Sequence, residues 1–142
     1  FEDAAESYWK CLELEEDRNL QHATYMLLAS TLQETGNKEG VKATLERARN
    51  LKPKDPEVHF FLANANLSEG NHREAIDLYR TAIRLDASRV KFHLMLGIAL
   101  EENGFLVECR DVYARASRMR PGDAAIEKRL DQVNQRLYKL GQ

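Results

Sequence analysis

The amino-acid sequence predicts an all-α protein, a solenoid of antiparallel helix pairs, and two observations support that prediction. Three gapless units of 34 residues follow one another at 22–55, 56–89 and 90–123. Within each unit, apolar residues recur at helical spacing in two segments that a glycine separates. A fixed period of this kind indicates a repeat architecture in which each unit is one supersecondary element.

The composition fits one domain with a packed core. The chain has 142 residues, of which 43% are hydrophobic and 31% are charged. No apolar run approaches the roughly 18 residues of a membrane span, so we expect no membrane insertion. The acidic start lacks both an initiator methionine and the basic region of a signal peptide, as in an excised or processed chain. Two isolated cysteines are compatible with a reducing compartment, which favours the cytoplasm without establishing it.

Charge is distributed unevenly along the chain. The formal net charge of −2 gives no reason to expect nucleic acid or an anionic membrane as a partner. Residues 1–21 hold seven acidic and two basic residues, a net charge of −5, whereas 109–142 hold eight basic and four acidic residues, a net charge of +4. The two ends are either simply solvated, or they attract one another in a head-to-tail self-association that salt would weaken over about 10 Å.

Residues 1–21 are predicted to form the second helix of an incomplete repeat. Ala4, Tyr8 and Cys11 follow the four-and-three spacing that the second helix of each full unit also shows. The spacing places all three residues on one helical face, and we expect Cys11 to be buried there. Residues 19–21 read as a short insertion before the regular period begins.

Each full unit is predicted to be a helix, a short turn, a second helix and another short turn. A leucine followed by a small residue marks the first helix, and three residues at four-and-three spacing mark the second. The glycine between them suits a left-handed helix end. The leucine pairs are Leu28-Ala29, Leu62-Ala63 and Leu96-Gly97; the glycines are Gly36, Gly70 and Gly104; the triplets are Val41/Leu45/Ala48, Ala75/Tyr79/Ala82 and Cys109/Tyr113/Ala116.

Polar residues and prolines mark the unit boundaries. Asp55 and Pro56 are predicted as an N-cap and the first helical residue, and Asp123 and Ser88 are predicted to cap the corresponding helices. Gly40 falls near the start of a second helix, where we expect it to interrupt the helix.

The segment 124–142 is predicted to be a terminal capping helix. Its apolar residues recur at intervals of four and three, and the opposite side is polar. A coiled-coil seam has the same spacing, but barely two heptads are present, so a cap is favoured. The apolar residues are Ile126, Leu130, Val133, Leu137 and Leu140.

This pattern resembles the tetratricopeptide-repeat (TPR) family along essentially the whole chain. The match is best at Leu96-Gly97, Cys109, Tyr113, Ala116 and Pro121. The resemblance implies a right-handed superhelix whose first helices line a concave groove that holds extended or helical peptides. The sequence departs from the family where histidine replaces the opening aromatic residue, at His59 and His93, and where Asn66 replaces a leucine.

No catalytic motif is present, so the sequence predicts neither an enzyme nor a cofactor or metal site. His59 and His93 lie one period apart, on helices whose packed axes would be roughly 8–10 Å apart, too far to share a zinc ion. We expect both to fill a packed aromatic position, and we expect His22 and His72 at the surface. Cys109, like Cys11, is expected to be a small buried residue.

The candidate binding site is the groove that the first helices line. Helical geometry turns a set of residues away from the buried leucine pairs, and its apolar members would form an exposed track. Alternatively, Phe60 and Leu94 pack between the repeats. Asn64 can both donate and accept hydrogen bonds with a peptide backbone. The predicted groove residues are Met26, Ser30, Phe60, Asn64, Leu67, Lys91, Leu94, Ile98 and Lys128.

One branch of the resembled family binds acidic chaperone tails through a carboxylate clamp of lysines, asparagines and an arginine. In one register only Lys91 fits the clamp pattern, and one unit later only Asn64 and Arg129 fit. The sequence therefore predicts no chaperone-tail clamp.

The sequence favours a scaffold that binds a peptide segment of an unidentified protein partner in this groove. The alternative is a structural spacer or self-association module within a multiprotein assembly. RNA binding would require a basic track with stacking aromatic residues, and the groove set does not supply one.

Overall fold

The structure, a computed structural model, describes residues 2–14 and 16–141 and contains eight α-helices in that part of the chain. The helices are α1 (Glu2–Leu14), α2 (Arg18–Glu34), α3 (Lys38–Leu51), α4 (Pro56–Ser68), α5 (His72–Leu85), α6 (Val90–Glu102), α7 (Leu106–Met119) and α8 (Ala124–Leu140).

The helices repeat with the period that the sequence predicts. The helices α3, α5 and α7 begin at residues 38, 72 and 106, and α4, α6 and α8 begin at 56, 90 and 124. Each helix packs mainly against the next one in sequence, which gives an all-α solenoid of antiparallel helix pairs. The predicted fold class is thus confirmed. The division of the chain at residues 22, 56, 90 and 124 stays a prediction.

The helix α2 begins earlier than the period predicts. Its N-cap is Asp17, whose carboxylate accepts hydrogen bonds from the backbone N–H groups of Asn19 (2.7 Å) and Leu20 (3.3 Å). The three residues 19–21, predicted to be an insertion before the regular period, belong to the first turn of α2, so the extra length lies within a helix.

The predicted turn and cap residues are mostly confirmed. Gly36, Gly70 and Gly104 have φ values of 76°, 81° and 82°, the left-handed conformation that glycine adopts without steric penalty. The Asp55 carboxylate accepts from the Glu57 N–H at 3.0 Å, and Pro56 is the first residue of α4. The Asp123 carboxylate caps α8 in the same way.

Two local predictions are wrong. Ser88 does not cap α6: its hydroxyl donates to Asp86 at 2.6 Å, and Arg89, the N-cap residue, makes no side-chain cap bond. Gly40 does not interrupt α3. Its N–H donates to Asn37 Oδ1 at 2.9 Å, and a Cβ at this position would lie 2.8 Å from Asn37 Nδ2. Glycine therefore leaves room for the cap of the helix it was expected to break.

The core alternates small residues with large ones, as the sequence predicts. Ala63, Tyr79 and Tyr113 are fully buried. Gly97 makes the closest approach, because a Cβ added there would lie 2.2 Å from the Tyr113 ring. In α8, Ile126 and Val133 are buried, whereas the last predicted apolar residue, Leu140, is 73% exposed. The apolar face of the cap is therefore shorter than predicted.

Three of the four histidines are structural. His59 and His93 are buried and their Nε2 atoms lie 2.7 Å and 3.0 Å from the carbonyl oxygens of Pro53 and Ala87, which confirms the packed positions. His22, expected at the surface, is also buried, because the early start of α2 places it inside the helix. Its ring nitrogens lie 3.0 Å from the Ala48 carbonyl and 2.7 Å from the Asp55 carboxylate. His22 thus ties α2 to both ends of the α3–α4 connection.

The two cysteines lie in different environments. Cys109 is fully buried and its thiol donates to the Gly97 carbonyl at 3.2 Å. Burial, with a smaller contribution from the Glu101 carboxylate, raises the pKa of this thiol to about 11. Cys11 is exposed, contrary to the prediction.

Candidate functional site

Two adjoining depressions lie between α2, α3 and α4. Their volumes are about 220 Å³ and about 60 Å³. Gln33, Val41 and Phe61 line both depressions, so they form one continuous surface. We call this surface the α2–α4 depression. The larger part is also bordered by Asn64, Ser68 and Lys38, and the smaller part by Met26, Ser30 and Leu45.

Phe61 is the large apolar side chain shared by both parts of the depression, and 37% of it is exposed. Successive residues of an α-helix point about 100° apart. The helix α4 can therefore bury Phe60 between repeats while it holds Phe61 at the surface. An aromatic ring bordered by hydroxyl and amide groups is suited to contact an apolar side chain of a bound segment.

Phe60 was predicted to lie exposed in the groove, and this prediction is wrong. Only 4% of Phe60 is exposed. Its ring centroid lies 4.9 Å from that of Phe92, 5.6 Å from that of Phe61 and 5.9 Å from that of Tyr79. The ring fills the space between α4 and α6, in agreement with the alternative prediction that Phe60 packs between the repeats.

The other predicted residues are divided between the depression and the rest of the array. Met26, Ser30 and Asn64 line the α2–α4 depression together. Leu67 and Leu94 are half-buried against the core, so the apolar track is interrupted. The remaining predicted residues lie elsewhere: Ile98 is half-buried on α6, Lys91 is exposed with Nζ 5.5 Å from the Phe60 ring centroid, and Lys128 is exposed on α8.

Asn64 is held in a defined orientation. The Tyr79 hydroxyl donates to Asn64 Oδ1 at 2.5 Å. Burial, with a smaller contribution from the Glu102 carboxylate, raises the pKa of Tyr79 well above its usual value, so the hydroxyl stays protonated at neutral pH. With its oxygen occupied, Asn64 presents its amide N–H groups as donors beside the larger part of the depression.

Two glutamates near the groove are paired with basic side chains of the protein. Glu69, at one end of the depression, accepts from Lys42 at 3.0 Å. At the far end of the array, Glu101 lies 3.1 Å from Arg136 and 3.9 Å from Arg129. The charged residues that line the depression are one lysine, Lys38, and one glutamate, Glu69, so it carries no strong net charge, which suits an uncharged side chain better than a carboxylate.

Within residues 2–14 and 16–141, no three His, Cys, Asp or Glu side chains come together as a metal site would require. In the same ranges, no helix combines the length and the apolarity needed to cross a lipid bilayer.

Phe61 is the site residue that the sequence reasoning missed. A signal for it exists, because Leu27, Phe61 and Met95 are large apolar residues spaced one period apart. Leu27 is 53% exposed, Phe61 is 37% exposed and Met95 is half-buried. A bulky apolar residue thus recurs at this incompletely buried position in each full unit. Such a recurrence indicates a contact surface between successive first helices.

Two family models match the chain. One, described as a TPR repeat, matches residues 63–104, and one, described as a tetratricopeptide repeat, matches residues 22–55.

Two curated relatives carry the name protein O-mannosyl-transferase TMTC1. The human protein is 28% identical over 123 residues, and the alignment covers 82% of this chain and 14% of the relative. The mouse protein is 29% identical over 133 residues, and the alignment covers 89% of this chain and 14% of the relative. The chain thus spans about one seventh of the length of these relatives.

Solved structures share the fold at low sequence identity. MamA superposes with a TM-score of 0.83 at 19% identity, covering 92% of this chain and 75% of that one. The first TPR of Spaghetti (RPAP3), bound to an HSP90 peptide, has a TM-score of 0.76 at 17% identity. The superposition covers 82% of this chain and 95% of that one. The Yersinia enterocolitica chaperone SycD, in complex with a peptide of the translocator YopD, has a TM-score of 0.75 at 18% identity. The superposition covers 87% of this chain and 98% of that one.

Proposed function

We propose that this chain, which belongs to the tetratricopeptide-repeat family, is a protein–protein interaction module that binds an extended peptide segment in the α2–α4 depression. TPR domains generally mediate protein–protein interactions, and two structural neighbours hold peptides. The observation that supports this site is Phe61, partly exposed on α4 and shared by both parts of the depression.

The peptide is held mainly by apolar burial. A side chain entering the depression contacts Phe61 and Met26, and each Å² of apolar surface it buries contributes about 25 cal/mol before ordering costs are subtracted. The peptide backbone lies along the polar border, where Asn64 donates to a backbone carbonyl and Ser30 bonds a neighbouring group. Partners differ from one another in the side chain they insert.

The proposal is tested with random 12-residue peptides displayed on phage and selected on the wild-type chain. Selected peptides are then titrated against Phe61→Ala. Because truncation of a central aromatic residue removes about 2 kcal/mol or more of binding energy, we expect affinity to fall roughly 30-fold or more.

Phe105→Ala is the matched control, since Phe105 is 44% exposed and lies in the turn before α7, away from the depression. Phe105→Ala should bind as the wild type does. Peptides that bind Phe61→Ala and the wild type equally well would refute the site.

The named relatives favour a second, more specific role. In a longer polypeptide that transfers mannose to proteins, the same depression would hold a segment of the acceptor protein and would not take part in the transfer itself. This role predicts that peptides from mannosylated proteins compete with the phage-selected peptides for the wild-type chain, and it fails if they do not compete.

A further inference from the structure

Another depression lies between α5, α6 and α7, and arginine side chains line it. Its volume is about 600 Å³, and it shares no lining residue with the α2–α4 depression. Three arginines and one aspartate border it, although the chain as a whole has a formal net charge of −2. We call it the arginine depression, and its charged residues are Arg80, Arg84, Arg115 and Asp77.

Arg80 is already paired within the protein. Its guanidinium lies 2.7 Å from the Glu108 carboxylate and 3.8 Å from the Asp77 carboxylate. The aspartate of the depression and a neighbouring glutamate thus both act on one arginine of the three.

Arg84 and Arg115 carry charges that the protein does not neutralise. Both side chains are exposed. Arg84 donates to the hydroxyl oxygen of Thr81 at 2.9 Å, and this uncharged partner orients the guanidinium on α5. In the ranges 2–14 and 16–141, neither arginine forms an ion pair with a carboxylate. A guanidinium presents N–H donors in a planar fork that matches a carboxylate, so the two groups suit an acidic ligand.

The repeat pattern does not require arginine at these positions. One period earlier, the residues that correspond to Arg80, Arg84 and Arg115 are Glu46, Asn50 and Thr81. The helices pack in both places with the same period, whereas the charge differs. Packing of the repeat alone therefore does not explain why three arginines border one depression.

We propose that the arginine depression binds an acidic segment of a protein partner. Carboxylates of the segment contact Arg84 and Arg115, and an apolar side chain between them packs on Ile83 and Leu96, which also line the depression. The volume of about 600 Å³ accommodates several side chains, whereas a single phosphate group would fill only a small part of it.

RNA fits this surface less well than an acidic peptide does. Binding of single-stranded RNA uses aromatic side chains on which the bases stack. Among the described residues that line the arginine depression there is no Phe, Tyr or Trp. The residues that fit the chaperone-clamp pattern, Asn64, Lys91 and Arg129, do not line it either. The arginine depression is therefore a second interaction surface, separate from the one proposed above.

The proposal is tested with a phage library of 12-residue peptides in which every second residue is Glu or Asp. Peptides selected on the wild-type chain are titrated against the double variant Arg84→Gln/Arg115→Gln. Because each substitution removes charge-assisted hydrogen bonds, we expect affinity to fall about tenfold or more. Both side chains are exposed, so circular dichroism should show the melting temperature of the wild type.

The matched control is Arg18→Gln/Arg73→Gln, which removes the same charge from two exposed arginines outside the depression. It should bind the peptides as the wild type does, and so should Phe61→Ala. An equal loss in the two double variants would overturn the proposal, because net charge alone would then govern binding. A loss in Phe61→Ala would overturn it too, since the peptides would then occupy the α2–α4 depression. A selection without any peptide that depends on Arg84 and Arg115 would also refute it.

Two further results would assign the arginine depression to a different occupant and so overturn the proposal. The first is a peptide with one phosphoserine and no Glu or Asp that binds more tightly than the selected acidic peptides, which would indicate a phosphate site. The second is a wild-type dimer, measured by sedimentation, that Arg84→Gln/Arg115→Gln abolishes, which would indicate a second copy of the chain.

Discussion

Phe60 and Phe61 are neighbours in sequence but lie in different environments. Phe60 is enclosed by three aromatic rings between α4 and α6, whereas Phe61 borders the α2–α4 depression. The same substitution should therefore lower mainly stability at Phe60 and mainly binding at Phe61.

Phe60→Ala is expected to lower the free energy of unfolding by about 3–5 kcal/mol, because it leaves a cavity among buried rings. Phe61→Ala is expected to change it by less than about 1 kcal/mol, since the side chain is already partly in water. Urea unfolding followed by circular dichroism measures both. A Phe60→Ala variant as stable as the wild type would contradict the packing described for this residue.

The site could be predicted from the sequence only in part. Helical geometry correctly brings Met26, Ser30 and Asn64 to one surface, because angles along a helix follow from residue number alone. It cannot say which of two adjacent phenylalanines enters the space between repeats. That choice depends on the residue facing it from the next repeat, Phe92, and thus on packing across 32 residues of sequence.

Among the helix pairs, α6 and α7 make an unusually close contact at Gly97. In the preceding repeat the corresponding residues, Ala63 and Tyr79, are buried in one cluster, so a methyl group is accommodated there. Between α6 and α7 the Tyr113 ring occupies the place that a methyl group would need. The two repeats thus share one pattern, but only the α4–α5 pair carries a methyl group at this position.

Gly97→Ala should lower the free energy of unfolding by about 1–3 kcal/mol through overpacking, although alanine favours a helix over glycine by up to about 1 kcal/mol. The loss should be smaller in a Tyr113→Leu background, where the ring is gone and the pair copies Ala29 and Leu45. A double-mutant cycle with urea unfolding measures this coupling. Additive effects would show that the ring does not limit the contact.

The helices themselves were largely predictable, because local signals recur in each unit. Glycine adopts the left-handed conformation at the turns, and the aspartates before α4 and α8 accept hydrogen bonds from the first N–H groups of those helices. The early start of α2 was missed because its cap, Asp17, lies before the first full unit and has no counterpart one period later. Ser88 was misassigned because it lies one residue before Arg89, the N-cap residue that corresponds to Asp55 and Asp123.

Across the whole array, buried hydroxyl and thiol groups link stability to alkaline pH. Burial raises the pKa of Cys109 from 9.0 to about 11 and raises the pKa values of Tyr79 and Tyr113 above 10.0. An unfolded chain loses these protons at lower pH than the folded chain does. Unfolding therefore releases protons in this range, and stability falls as pH rises.

We expect the melting temperature to be steady near neutral pH and to fall progressively above about pH 9, as the thiol and then the two hydroxyl groups ionise in the unfolded chain. Thermal unfolding between about pH 7 and pH 10.5 checks this. Cys109→Ala should delay the onset of the fall by removing the group with the lowest pKa of the three. A melting temperature that does not change up to pH 10.5 would contradict the burial of these groups.

The sequential packing of the helices has a mechanical consequence. Extensive contacts join each helix to the next, and α4 and α6 also touch, so distant parts of the array do not hold one another. Tension applied between the two ends is therefore carried in series by the interfaces between consecutive helices. Under load the array should extend elastically at first. It should then unfold in discrete steps of one repeat or less, starting at the weakest interface. After the load is removed, refolding would require only that neighbouring repeats pack against each other again.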